Sequence, residues 1–572
     1  MTQPESTGHA DSPVSSIEER TQTSFDFIIC GGETAGCAIA ARLSEDPSVT
    51  VGIVEAGKYR NGDPIIDTPL EFTRMFENPD YDWCLYTAPQ TANHGKVQHI
   101  PRARRGWSAA EMQQYMRKHQ TLKPVNPDSI EASSPFDQQY HGTTGPVRTS
   151  FNDFNWPIEY DFVKACGETT SLPNKPVDAW SGDHIGFYHT LGTVARTGPN
   201  RGKRSYAASG YYEANRGRPN LKALCEARVN RVNLDGTRAT GVSVTVQGQE
   251  YAIQAKREVI ACGGTIQSPQ MLELSGTGDP EVLAAAGVEC KVKNRGVGAI
   301  VQDHSLSVII WELQPGERTS DSLVQYPEML QAAVQQYMET ASGPHSSIGG
   351  TQGFFPAKSI LSESELADVL QQVIAHLESD ISANLPFVFL PTTVNTTTGT
   401  EHQSQIFSPP PPEKLAGVSA ALCLQCPVSR GYIHIHSNDP SVPPIIQPNY
   451  ITHEADVTVI AAFLRWAEKV GQADSLKSSI AGRSFPDRSV DLQDLEQAKQ
   501  AVRDVVVGEY HICGSVAIGD ALDPRLHVKG VQGLRVADAS VFPNNISGNI
   551  ASSVYAVAEK AADLIKEDYR LV

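Results

Sequence analysis

Positive charge is scarce in this sequence and nowhere concentrated: 47 Lys and Arg stand against 65 Asp and Glu in 572 residues, a formal net charge of -18 with a pI near 5.4. Without a basic block there is no electrostatic footprint for nucleic acid or for an anionic membrane surface. The first 24 residues lack an apolar core and are rich in Pro, Ser, Thr and Glu, which excludes a signal peptide or membrane anchor and predicts a disordered leader. The ten cysteines lack a framework spacing, so a reducing compartment, the cytoplasm, is expected. One C-x-x-C occurs, Cys423 to Cys426. It lies in an apolar, strand-like run at 418–428, where positions three apart point to opposite faces, and no second Cys or His pair accompanies it. It therefore predicts buried strand residues and no metal. There is also no internal repeat. What remains is a soluble protein acting on a small molecule, long enough for two connected domains and able to bury a cofactor.

The most informative segment is Asp26-Phe-Ile-Ile-Cys-Gly-Gly-Glu-Thr-Ala-Gly-Cys, which reads as a buried strand, a glycine turn and a helix. In G-x-G-x-x-G the first glycine makes the tight turn, the middle one lets the backbone approach a pyrophosphate, and the last lets helix pack on strand. Gly31 and Gly36 hold the outer positions, but the middle one is Glu33. A second strand at 49–54 ends in Glu55, placed to take ribose hydroxyls.

Farther along, residues 145–220 are rich in aromatic, Gly and Pro residues and predict covering loops. Residues 226–246 and 250–261 each predict a strand, and Ser268-Pro269 the opening of a short helix. Between about 305 and 500 the composition shifts to long helices and alternating strands. There Ser362 and Glu365 form a capping box, followed by a stripe of Leu366, Val369, Leu370, Val373, Ile374 and Leu377 that reads as core. A helix at 454–473, a strand at 533–538 and a helix at 550–566 complete the pattern, so the chain leaves the nucleotide domain and returns to it.

With these pieces in order, residues 25–565 resemble the glucose-methanol-choline (GMC) oxidoreductase family. The resemblance rests on CGGETAGCAIAARLSED with Glu-Ala-Gly at 55–57, GGTIQSPQMLELSG at 263–276, RGVGAIVQDH at 295–304, Ser429-Arg-Gly431 with 444–450, YHICGS and the C-terminal GLRVADASVFPNNISGNIASSVYAVAEKAADLI. It implies an α/β fold: a Rossmann-like FAD-binding domain (25–145, 215–305 and 500–572) with an α+β substrate-binding domain (146–214 and 306–499). It further implies FAD held by Gly31, Gly32, Glu33, Thr34, Ala35 and Gly36, by Glu55, by the backbone at Val229 and by the strand end at Asp538 and Ala539. His511 occupies the family's first catalytic position and Asn549 the second. An imidazole near neutral pKa can take the hydroxyl proton of an alcohol while a flavin takes the hydride. The substrate, a small organic alcohol of the secondary-metabolite kind, is a family-level expectation; oligomeric state is not readable.

Two departures fall on the same ligand. Glu33 replaces glycine, and the family's Gly- and Ser-rich flavin loop is missing where Arg102-Ala-Arg-Arg runs directly into Gly106-Trp107. One carboxylate about 4 Å from one phosphate charge costs about 4 kcal/mol at an effective dielectric near 20, about a thousandfold in affinity. Pairing of Glu33 with Arg102, Arg104 or Arg105 would relieve it. Three readings stay open: an FAD-dependent alcohol oxidase or dehydrogenase with weakened flavin binding, a flavin-free cyclase, dehydratase or isomerase using His511 as acid–base, and an inactive scaffold.

Overall fold

Two sheets, each gathered from distant parts of the sequence, organise the molecule. The computed structural model describes residues 24–94, 109–123, 136–170, 172, 178–347, 349–365 and 385–572. β1 (Phe25–Cys30) leads through a glycine turn into α1 (Thr34–Leu43) and β2 (Val51–Val54). After α2 (Pro157–Thr169) and β3 (Gly186–His189), the chain returns with β4 (Leu221–Leu224), β5 (Ala227–Asp235), β6 (Arg238–Val246), β7 (Gln249–Ala261) and α3 (Gly264–Leu274). It departs again through β8 (Ser305–Leu313), β9 (Thr351–Phe355), β10 (Leu385–Leu390), β11 (Gly417–Leu424), α4 (Glu454–Gly471), β12 (Ile480–Phe485), α5 (Leu495–Val505) and β13 (Val507–Gly508). β14 (Leu534–Val536) and α6 (Ala551–Tyr569) end the path. Among the described residues no helix is long and apolar enough to cross a membrane.

The first sheet runs β4-β2-β1-β7-β6-β5, with β14 also on β7. β1 is parallel to both β2 and β7, and Phe27, Ile28 and Ile29 are wholly buried, as a strand covered on two faces requires. β7 changes partner along its length: its first half pairs antiparallel with β6, its second half parallel with β1 and β14. α1 and α6 cover this sheet, joined by the Arg42 guanidinium donating to both oxygens of buried Glu559. The expected single strand at 226–246 is instead the β5–β6 hairpin, folded at Gly236, whose φ of +57° suits a residue without Cβ.

The second sheet, β12-β8-β11-β10-β9-β3 with β13 also on β8, is antiparallel throughout. Residues 145–220, expected as loops, contribute α2 and β3 to this half: Pro157 suits the first helical turn, and Phe162 packs against Trp311 and Phe389 in the core. Cys423 is buried in β11 as expected. α5 and β13 also belong to this half, with Ala498 and Val502 in its core, so the chain recrosses beyond Gly508 rather than at residue 500. The Ser362–Glu365 capping box is formed. The apolar stripe after it, the 1–23 leader and the Arg102–Trp107 junction lie outside the described residues.

α2 carries a pH-dependent load. Glu159 is buried, accepts from Trp156 N (2.8 Å) and Thr351 Oγ1 (2.8 Å), and is pushed up by burial to about 7. Below the ordinary value of 4.5 both native and unfolded chains hold the proton and the contribution is complete. Between there and about 7 the unfolded chain ionises first, so stability should fall by about 3 kcal/mol and level off above. Denaturant midpoints from pH 4 to 8 should show this slope, and Glu159→Gln should flatten it.

Candidate active site

The glycine turn after β1 is built as a nucleotide site requires. Gly31 has φ +113°, and a Cβ there would lie 2.4 Å from Cys262 O; one on Gly36 would lie 1.8 Å from Gly31 O. Both positions therefore admit only glycine. The Glu55 carboxylate stands at the end of β2 and bridges Gly32 N and Gly57 N, each at 2.6 Å. β5 starts against the same turn, with Ala227 N on Glu55 O (2.9 Å) and Glu226 N on Gly57 O (3.0 Å), which brings Val229 to this edge of the sheet. Thr34 opens α1, and Ala35 is buried beneath the turn. The first-turn amides of α1 have no intrahelical acceptors and offer an anion site at the positive end of the helix. Glu33 is the N-cap residue there; its side chain makes no capping bond and is exposed.

Beside the glycine turn, at the end of the neighbouring strand β7, Asp538 holds the turn into α3. Its carboxylate accepts from Gly264 N (2.7 Å), Ser268 Oγ (2.5 Å), Ser540 N (2.8 Å) and Ser540 Oγ (2.6 Å), and it is wholly buried. These four donors occupy the side chain. α3 begins at Gly264, not at Ser268, and Pro269 lies inside it. The missing N–H of Pro269 would have met Thr265 O; the Ser515 hydroxyl donates there instead at 2.6 Å. Thr265 Oγ1 also donates to Ile512 O (2.8 Å), which fixes α3 to the segment carrying His511.

Around His511 the fold gathers ionisable groups from three distant segments. His511 Nδ1 lies 2.9 Å from His304 Nδ1 and 3.3 Å from Glu509 Oε2, and His304 Nδ1 is 3.2 Å from the same oxygen. His304 is wholly buried and His511 is 7% exposed. The Cys423 thiol also donates to Glu509. Burial opposes ionisation of Glu509, yet attraction to His511 and close contact with the two imidazoles hold its carboxyl well below the usual range. Behind them Asp303 accepts from His511 N (2.7 Å) and Tyr450 OH (2.6 Å), and burial pushes it up to about 7.

Partner chemistry assigns the tautomers. His304 Nε2 is 3.0 Å from Ile546 O, a pure acceptor, so Nε2 bears the proton and Nδ1 of the neutral ring is bare. His511 Nδ1 faces that lone pair and the carboxylate, so it is the donor and carries its ring's proton. His511 Nε2 is thereby left as a base.

Asn549 lies three residues beyond Ile546, exposed, accepting from Gln352 Nε2 of β9 at 3.3 Å, while Gly548 N donates to Gln425. The 543–550 segment thus runs from the imidazole pair to the wall of the second sheet. At its start Asn545 is buried and accepts from the Cys513 thiol at 2.7 Å. His511 is tied to α3 on the first sheet through Thr265, whereas Asn549 meets β9 of the second sheet. Glu509 and the pairing partner His304 were missed as functional groups: Tyr510 between Glu509 and His511 has φ +62°, so no strand-like alternation in the sequence marks the two side chains as neighbours.

Comparison with known proteins agrees with this geometry. Two family models described as GMC oxidoreductase match residues 97–306 and 427–558. Dehydrogenase citC of Monascus ruber and dehydrogenase mpl7 of Monascus purpureus are each 36% identical to the chain, over 96% of it and 97% of their own length. An FAD-dependent oxidoreductase from Chaetomium thermophilum shares the fold with a TM-score of 0.84 at 22% identity, covering 96% of this chain and all of that one. The glycine turn, the sheet that carries it and this full-length similarity together place the chain in the GMC oxidoreductase family.

Proposed function

We propose that the chain oxidises a small organic alcohol, of the kind met in secondary metabolism, with His511 as the base and FAD as the hydride acceptor. The observation that carries this reading is the position of His511 Nδ1, 2.9 Å from His304 Nδ1 and 3.3 Å from Glu509 Oε2: a proton placed there leaves Nε2 to receive a hydroxyl proton. Glu509 then lies 3.3 Å from the imidazolium that forms and offsets its charge. Asn549 orients the alcohol oxygen from the facing wall. Similarity to fungal dehydrogenases supports an oxidation.

The residues present fit FAD. Gly31, Gly32, Thr34, Ala35 and Gly36 would carry its diphosphate, Glu55 its ribose, the Val229 backbone its adenine, and the backbone at Asp538 and Ala539 its ring system. When bound, the cofactor supplies the hydride acceptor. The exposure of Glu33 bears on how tightly it is held: a carboxylate in water repels a phosphate about 4 Å away by only about 1 kcal/mol, against about 4 at lower dielectric. On this reading flavin binding is weakened rather than lost, and it is preferred here to a flavin-free reaction or a silent scaffold. Glu33→Gly should tighten FAD binding about fivefold, read by flavin fluorescence on dilution; an unchanged affinity would dismiss the charge effect.

The free thiols suit a cytoplasmic enzyme with a small-molecule partner. The direct test is spectroscopic. Purified protein should show flavin absorbance that bleaches when a substrate alcohol is added without oxygen. A colourless protein that cannot be reconstituted with FAD would defeat the proposal.

A further inference from the structure

The three atoms that meet beside His511 form more than a proton site. His304 Nδ1, Glu509 Oε2 and His511 Nδ1 make a triangle with sides of 2.9, 3.2 and 3.3 Å. Around a first-row divalent ion with bonds of about 2.0–2.2 Å, neighbouring ligand atoms lie from about 2.8 Å apart at right angles to about 3.6 Å at the tetrahedral angle. The spacing is already that of three ligands on one ion. The outer contacts are also those of a metal site. His304 gives its other ring N–H to the Ile546 carbonyl, which fixes the ring and aims Nδ1 inward. Glu509 N donates to His304 O (2.7 Å) and His511 N to Asp303 Oδ1 (2.7 Å), so both ligating segments are anchored through the backbone. Three acceptor atoms converging on one buried point require an electrophile there, and in the acid–base state a single proton, that of His511 Nδ1, has to serve all three.

We propose that His304, Glu509 and His511 constitute a divalent-cation site, best suited to Zn²⁺, and that its occupation switches off the His511 base. The inference stands on the triangle and its supports, not on the identity of the alcohol or the flavin. Two imidazoles and one carboxylate are a ligand set that zinc accepts, and a neutral imidazole bound through Nδ1 must keep its remaining proton on Nε2. The proton leaves Nδ1 as the metal–nitrogen bond forms, and Nε2 gains one, so the nitrogen that faced the substrate as an acceptor becomes a donor. No charge is transferred and no oxidant is consumed. The site is reversible, because a chelator can withdraw the ion and return the proton to Nδ1.

The full-length protein, stripped with EDTA and dialysed against micromolar ZnCl₂, should retain one zinc per chain by elemental analysis. Zinc should inhibit turnover, with EDTA restoring it. Glu509→Gln and His304→Gln should each lower zinc affinity at least tenfold while keeping the wild-type circular dichroism spectrum. In zinc-soaked crystals an anomalous peak should lie between the three atoms. Retention of no zinc, equal retention by both variants, or a peak at any other residue would overturn the proposal. Each of those results would leave metal-free alcohol oxidation untouched, so this inference and the proposed function fail separately.

Discussion

His511→Ala should lower kcat/KM about 10²- to 10⁴-fold with the fold intact, the range expected when a positioned general base is removed. The expectation follows from the tautomer argument: the fold uses His304, Glu509 and the Ile546 carbonyl to settle which nitrogen of His511 is protonated. Truncation removes Nε2 while leaving Asp303 bonded to the backbone at 511. The loss should therefore appear in the rate of flavin reduction and leave flavin affinity within about twofold of wild type, less than about 0.5 kcal/mol. Added imidazole should restore part of the rate. A variant that reduces its flavin as fast as wild type would show that another group takes the proton.

The largest expected loss of stability lies elsewhere, at Arg535 on β14. This side chain is 1% exposed, yet it donates to Glu258 Oε1 on β7 (2.6 Å) and to Arg525 O (2.8 Å) and pairs with Asp568 near the end of α6. Burial pushes the Glu258 carboxyl up, and the guanidinium offsets that. Arg535→Met leaves a buried carboxylate without its counter-charge, and such a broken pair costs about 3–5 kcal/mol. Glu258→Gln combined with Arg535→Met should recover most of the loss, because no orphan charge remains. Denaturant midpoints of the two singles and the double decide the matter. If the double is no more stable than Arg535→Met alone, the cost arises from lost contacts to Arg525 and Asp568 instead.

The ends of the chain were the legible part. β1, α1, β14 and α6 carry local signals, namely apolar runs, glycines at forced conformations and a 3.6-residue period, so they emerged within a few residues of their observed bounds. α2 and β3 were hidden because their stretch is punctuated by Pro and Gly, and the apolar face of α2 finds Trp311 and Phe389 only in three dimensions. Pro269 misplaced a helix start because its lost bond is replaced by Ser515, a residue far along the chain. The same holds at the site. His511 stood out by its motif, but a triangle with His304 exists only once Gln302 pairs with Cys513. Glu33 stands out in the sequence as a charge, but whether the side chain meets water is a property no local pattern encodes.

Asn545-Ile-Ser547 is a glycan acceptor sequence whose asparagine ends up inside, bonded to Cys513 two residues past the base. Produced through a secretory host, the chain would be exposed to the oligosaccharide transferase before this segment closes. A sugar attached then could not be accommodated, and the molecule would mature with its 543–550 segment propped open. Material for enzymology is better made in a bacterial cytosol, and a yeast-secreted batch that proves inert should be checked for added mass before the chemistry is blamed.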